Sequence, residues 1–121
     1  MKIQGVMLGT DNPDTLGDFY TRVFGKAGWH DGDWYGFMVG EGTIMIGPHS
    51  EVNGKSMQPA RIMVSIITND LVADFKAMTV AGATVIAEPY QPNKEDNPDT
   101  WLATLADPHG NYLQLSTPWE A

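Results

Sequence analysis

Residues 105–118 read LADPHGNYLQLSTP, a turn followed by an alternating run. Asp107-Pro108-His109-Gly110-Asn111 supplies the Gly and Asn that tight chain reversals use. Behind it, Leu113 and Leu115 alternate with Tyr112, Gln114 and Ser116, the period-two pattern of a half-buried strand. Residues 101–106 have the same character, so the chain closes on a hairpin. The first half holds its counterpart, with strand-like residues 34–39 and 43–46 flanking Gly40-Glu41-Gly42.

Working outward from the two hairpins, the rest of each half also repeats. Residues 2–10, KIQGVMLGT, alternate Val6 and Leu8 with Gly5, Met7 and Gly9, and residues 61–68, RIMVSIIT, alternate Val64 and Ile66 with Met63, Ser65 and Ile67. Both read as strands. Asn12-Pro13-Asp14 then leads into Leu16, Phe19, Tyr20, Val23 and Phe24, the spacing of a one-faced helix. Its counterpart follows Asn69 with Leu71, Val72, Phe75 and Met78. Gly25 and Gly82 stand where helix C-termini favour glycine. A further strand after each helix is expected at residues 84–87 and, more weakly patterned, around residues 29–33. The polar segment 48–60, PHSEVNGKSMQPA, reads as the linker between a module at about 1–50 and another at about 61–121 of a single domain.

The order β-α-β-β-β, given twice, has too many strands per helix for a doubly wound sheet. It predicts two four-stranded sheets, each with a helix on one face. A chain of 121 residues hides roughly two-thirds of its unfolded surface, enough for a core.

Composition narrows the function. The chain is 42% hydrophobic and 18% charged, with a mean hydropathy of −0.23, which is ordinary for a globular protein. Its net charge of −8 repels polyphosphate and anionic headgroups, so neither nucleic acid nor membrane is an expected partner. The absence of cysteine excludes disulfides, thiol nucleophiles and thiolate metal sites. No apolar run has the length of a membrane span, and the N-terminus lacks an export signal, so a cytoplasmic location is expected.

The repeat, the first strand, FYTRVFG at residues 19–25 and LADPHGNYLQLSTP together resemble the vicinal oxygen chelate superfamily, the glyoxalase/bleomycin-resistance/dioxygenase group. The resemblance covers nearly the whole chain. It implies an α+β fold of two βαβββ modules forming a curved, open sheet around a cavity. In metal-dependent members, His, Glu or Gln ligands come from the first and last strands of each module. The corresponding positions here are Gly5, Met45, Met63 and Gln114. Only Gln114 keeps a ligand oxygen, and a lone amide holds a divalent ion weakly. A one-residue register slip would place Gln4 or Val6, Ile44 or Ile46, Ile62 or Val64, and Leu113 or Leu115 there instead, which suits a metal no better. The resemblance therefore implies a retained scaffold without metal or other cofactor.

Other chemistry has little support. His30, His49 and His109 form no spaced ligand pair, and His30 with Asp31 and Asp33 is the residual metal candidate. Asn53-Gly54-Lys55-Ser56 lacks the earlier glycine of a phosphate-binding loop, and no nucleophile elbow occurs. No catalytic residue is assigned. Methionine and aromatic residues are the stronger signal: Met7, Met45 and Met63 alternate away from the helix-facing residues, and Trp34, Tyr35, Met38, Tyr90, Trp101 and Tyr112 lie on or beside strands that would wall a cavity. Asp31, Asp33, Glu41, Glu51, Glu95, Asp96 and Asp99 form either a rim attracting cations or simply a solubilising surface.

The expected function is non-enzymatic binding of a bulky, partly aromatic small molecule, with Met7, Trp34, Met38, Met45, Met63, Trp101, Tyr112 and Gln114 in contact and Gln114 as polar anchor. Similarity to the bleomycin-resistance branch implies drug sequestration by a homodimer, with glycopeptide or polycyclic aromatic antibiotics as ligands. The alternative is a metal-dependent glyoxalase-like lyase or isomerase, or a ring-cleaving dioxygenase.

Overall fold

The computed structural model describes residues 1–118. The order is β1 (Gly5–Thr10), α1 (Pro13–Phe24), β2 (Trp29–Asp31), β3 (Trp34–Val39), β4 (Gly42–Pro48), β5 (Val64–Ile67), α2 (Leu71–Ala81), β6 (Thr84–Tyr90), β7 (Leu102–Ala106) and β8 (Tyr112–Ser116). The fold is α+β, two βαβββ modules with an open four-stranded mixed sheet each, ordered β1-β4-β3-β2 and β5-β8-β7-β6. The first strand of each module runs parallel to the last, and the remaining pairs are antiparallel. Compact units span residues 1–55 and 56–121.

In the first unit, α1 packs on β3 and β4. Leu16, Phe19 and Tyr20 are fully buried there, and Phe37, Ile44 and Ile46 are buried on the sheet, so each apolar side chain contributes about 1.5–3 kcal/mol. Asn12 caps the helix by accepting the Thr15 N–H at 3.3 Å, and Pro13 occupies the first turn, where its missing N–H costs nothing. In the second unit, α2 packs on β6, β7 and β8, and Leu105, Leu113 and Leu115 are fully buried. Asp70 caps α2 through the Ala73 N–H at 3.1 Å, and Gly82 ends it at φ +117°, in the left-handed region. The two corners repeat in detail: the Asn12 N–H donates to Thr10 Oγ1 at 2.9 Å, and the Asp70 N–H donates to Thr68 Oγ1 at 3.0 Å.

Two local expectations need correction, the end of β6 and the place of Val72. The weakly patterned segment after α1 is a strand, β2, but all three of its residues are exposed, so burial imposes no alternation on it. Strand β6 runs on to Tyr90 through Pro89, which an edge strand with bulges tolerates. Val72 is 67% exposed and lies off the buried stripe formed by Leu71 and Met78. The segment 48–60 is tied to both units. Its Gly54 N–H donates to Asp11 Oδ2 at 2.8 Å, and its Ser56 N–H donates to the His109 carbonyl at 3.0 Å.

Tyr35 is also corrected: it is buried, not free to wall a cavity. Its ring stacks on His30 at 4.1 Å and lies against Gly17 of α1, and its hydroxyl donates to Asp14 Oδ1 at 2.9 Å. Burial foremost, then the hydrogen bond to Asp14 and the negative charges of Asp14, Asp18 and Asp33, push its pKa from 10.0 up to about 12. A raised folded-state value means that this stabilisation is fully present below pH 10.0 and is lost as pH rises through about 12. Alkaline unfolding of Tyr35→Phe should therefore lose the part of the decline that wild type shows in that window. Denaturant titrations at stepped pH check this, and identical slopes would refute it.

Candidate functional site

Residues paired directly across a ladder project to the same side of a sheet. In the first unit, Val6, Leu8, Ile44, Ile46, Tyr35 and Phe37 take the side that faces α1, which leaves another row on the far face. There Met7 lies opposite Met45, Met45 opposite Gly36, and Gly36 opposite Trp29. One row further along, the Trp34 ring lies on Gly47, where any side chain would occupy the space of the ring. Gly9 beside it is covered by His49 and Val52 of the linker. One row the other way, Met38 lies opposite Thr43, whose hydroxyl reaches Met38 Sδ at 3.4 Å. Met7, Trp29 and Met38 are 48%, 49% and 62% exposed, so the far face is an apolar surface of methionines and indoles.

The far face of the second unit has different chemistry. Gln114 is half-buried between Ser65 of β5 and Thr104 of β7, and Thr104 lies opposite Ala87 of β6. Tyr112, two residues before Gln114 on the same side, faces Ala106. Met63 stands one residue ahead of the Val64–Leu113 pair and is 39% exposed. The Asp107–Asn111 turn in front of β8 is held by one carboxylate. Asp107 Oδ1 accepts the His109 and Asn111 N–H groups at 2.9 and 3.0 Å, and Oδ2 accepts the Asn111 side-chain amide at 2.9 Å. These bonds explain why this turn carries an Asp at its start and an Asn at its end.

The structure thus brings Met7, Met45, Trp34 and Met38 onto one face, and Tyr112 and Gln114 onto another. Trp101 stands apart from Gln114. It precedes β7 and lines a recess of about 260 Å³ with Leu71, Val72, Pro89 and others at the start of α2. Trp29 is the residue that sequence reasoning missed, because β2 has no alternation to mark it. Its place opposite Gly36 is visible only once the β2–β3 register is known.

The residues do not fit the metal that metal-dependent members of the resembled superfamily hold. Gly5 and Met45 offer no hard donor, Met63 precedes its strand, and Gln114 offers one amide oxygen. Among the described residues no three His, Asp or Glu side chains gather in a metal-holding cluster. His30 is engaged elsewhere, with its ring on Tyr35 and its Nε2 bonded to the Gly32 carbonyl at 2.9 Å. All seven acidic rim candidates are exposed.

A family model described as a glyoxalase-like domain matches residues 5–116. Among solved structures, the chain is similar to a glyoxalase/bleomycin resistance protein from Albidiferax ferrireducens T118, at 19% identity and a TM-score of 0.74, covering 97% of this chain and 98% of that one. A glyoxalase/bleomycin resistance protein/dioxygenase family enzyme from Burkholderia phytofirmans PsJN is 19% identical with a TM-score of 0.76, over 97% and 98% of the two chains. The hypothetical protein SA1046 from S. aureus is 16% identical with a TM-score of 0.77, over 98% and 94%. At these identities the likeness is one of fold. No curated protein matches the sequence.

Proposed function

From the premise that the chain belongs to the glyoxalase-like domain family, we propose that it binds a bulky, partly aromatic small molecule and releases it unchanged. The observation that carries this reading is the far face of the first sheet, where Met7, Met45, Trp34 and Met38 present adaptable thioethers beside an indole. Thioether sulfur meets aromatic rings favourably, at about 0.3–1.5 kcal/mol per contact, and an aromatic pair adds about 0.5–1.5 kcal/mol beyond burial. The donor chemistry at Gly5, Met45, Met63 and Gln114 supports the same reading, since it suits an organic ligand with one polar anchor better than a divalent ion. In this reading the protein sequesters an antibiotic of glycopeptide or polycyclic aromatic type in the cytoplasm. No helix among the described residues is long and apolar enough to cross a membrane. It acts as a homodimer, because β1, β2, β5 and β6 end their sheets and offer unpaired edges to a second copy.

The test is twofold. Protein incubated with Mn²⁺, Fe²⁺, Ni²⁺ and Zn²⁺ and then desalted should retain less than about a tenth of an equivalent of any metal. Bleomycin and an anthraquinone, titrated against tryptophan fluorescence, should include a ligand that binds stoichiometrically and is recovered intact. Gln114→Ala should weaken a ligand held on the second sheet about three- to tenfold, the effect of one hydrogen bond. A full equivalent of retained metal, or turnover of the ligand, would overturn the proposal in favour of a metal-dependent lyase, isomerase or dioxygenase.

A further inference from the structure

We infer that the second unit recognises a carboxylate on its ligand, with Arg61 as the anion anchor and Tyr112 as the surface for the attached apolar body. This rests on the binding reading above and adds to it the charge class of the ligand. Residues 58–61 form a turn in which the Arg61 N–H donates to the Gln58 carbonyl at 3.1 Å. Across the same turn, Arg61 Nε and Nη2 both donate to Gln58 Oε1, at 2.9 and 2.8 Å. One edge of the guanidinium is therefore held by a neutral amide, which orients the group without cancelling its charge.

The end of the fork, formed by Nη1 and the second proton of Nη2, is left for another acceptor. Among the described residues no carboxylate pairs with Arg61. Two parallel N–H donors on a fixed plane match the two oxygens of a carboxylate. Gln58, Pro59, Ala60, Arg61 and Tyr112 line one open depression of about 470 Å³, within the range of small-molecule sites. Tyr112 supplies an aromatic wall there. Two residues on, Gln114 lies about 7 Å further along the same face of the strand. A net charge of −8 disfavours a dianionic phosphate more than a singly charged carboxylate, which selects between the two anions that a guanidinium fork accepts.

Benzoate and its uncharged isostere benzamide are the probes, titrated into the intact protein with the Arg61 Nε–H and Tyr112 ring resonances followed by NMR. Benzoate is expected to shift both resonances saturably, and to bind on the order of fivefold or more tightly than benzamide, as a charged acceptor does over a neutral one. Its affinity should fall with added salt, as an exposed ionic contact requires. Arg61→Gln should abolish the preference and Arg61→Lys should retain part of it, with the fold checked by circular dichroism because Arg61 is exposed. Equal binding of the two probes, a benzoate affinity unchanged by Arg61→Gln, or no saturable shift at Arg61 would overturn the inference. If uncharged planar aromatics still quench the tryptophans in that case, only the carboxylate assignment fails. If no aromatic probe binds at all, the binding reading fails with it.

Discussion

Gly47→Val should abolish the proposed aromatic binding and cost about 1–3 kcal/mol of stability, the usual penalty for overfilling a packed position. Gly47 is buried on β4, and the Trp34 ring lies directly on its backbone. An added side chain needs the volume that the six-membered part of the indole already fills, so the ring must leave the sheet or the strand must move. Either outcome disrupts the surface that carries Met7 and Met45 in the neighbouring row. The tryptophan emission of the variant should shift to the red, and its titration with whichever of bleomycin and the anthraquinone binds the wild type should be flat. Trp34→Ala combined with Gly47→Val separates the two effects, because it removes the clash and should recover most of the stability while leaving binding lost. Wild-type affinity in Gly47→Val would show that Trp34 is not part of the ligand surface.

The largest loss of stability is expected from Phe19→Ala, at about 3–5 kcal/mol, the transfer and cavity cost of removing a buried aromatic ring. Phe19 is fully buried and meets Tyr20 edge-on, with ring centroids 5.0 Å apart. Tyr20 in turn lies 5.9 Å from Phe24 and 6.2 Å from Phe37 of β3, so the cavity would open at the head of a chain of aromatic contacts. Denaturant titration gives the magnitude, and hydrogen exchange locates the loss in the amides of α1, β3 and β4. Thr15→Ala, on the exposed side of the same helix, should stay within about 0.5 kcal/mol. A small effect for Phe19→Ala would mean that the first unit is not held together by this cluster.

The elements that alternate against a helix were readable from the order of apolar residues alone. Leu113 and Leu115, Ile44 and Ile46, and the stripe from Leu16 to Tyr20 are apolar because one face of each meets the core, and the period of that face gives the element away. β2 was hard to read for the opposite reason. Exposed on every residue, it is held by its ladder to β3, and backbone hydrogen bonds leave no mark on residue type. The same gap hid Trp29. Tyr35 misled in another way: an aromatic residue on a strand looks the same whether its ring wets a cavity or packs on a helix. Its neighbour Trp34 lies on the other side of the strand, a place that shows only through the contact of its ring with Gly47. Arg61 gave no signal because the partner that orients it, Gln58, is an uncharged residue in what read as a polar linker.

The strand order also dictates when each half can assemble. β1 is synthesised before the other strands of its unit, yet its ladder partner is β4, and Gly5 cannot find Thr43 until the helix and two hairpin strands between them exist. The β2–β3–β4 segment closes through local contacts, and β1 then completes the sheet by closing the longest loop of its half. β5 is in the same position, with Val64 waiting for Leu113 in the last strand of its unit. A nascent strand with nothing to pair with is a template for the wrong partner on a crowded ribosome. The two waiting strands are poor templates: β1 carries glycine at positions 5 and 9, and β5 is four residues long with a serine among them. The glycines that leave room on the finished sheet also keep its first-made strand from sticking before its partner arrives.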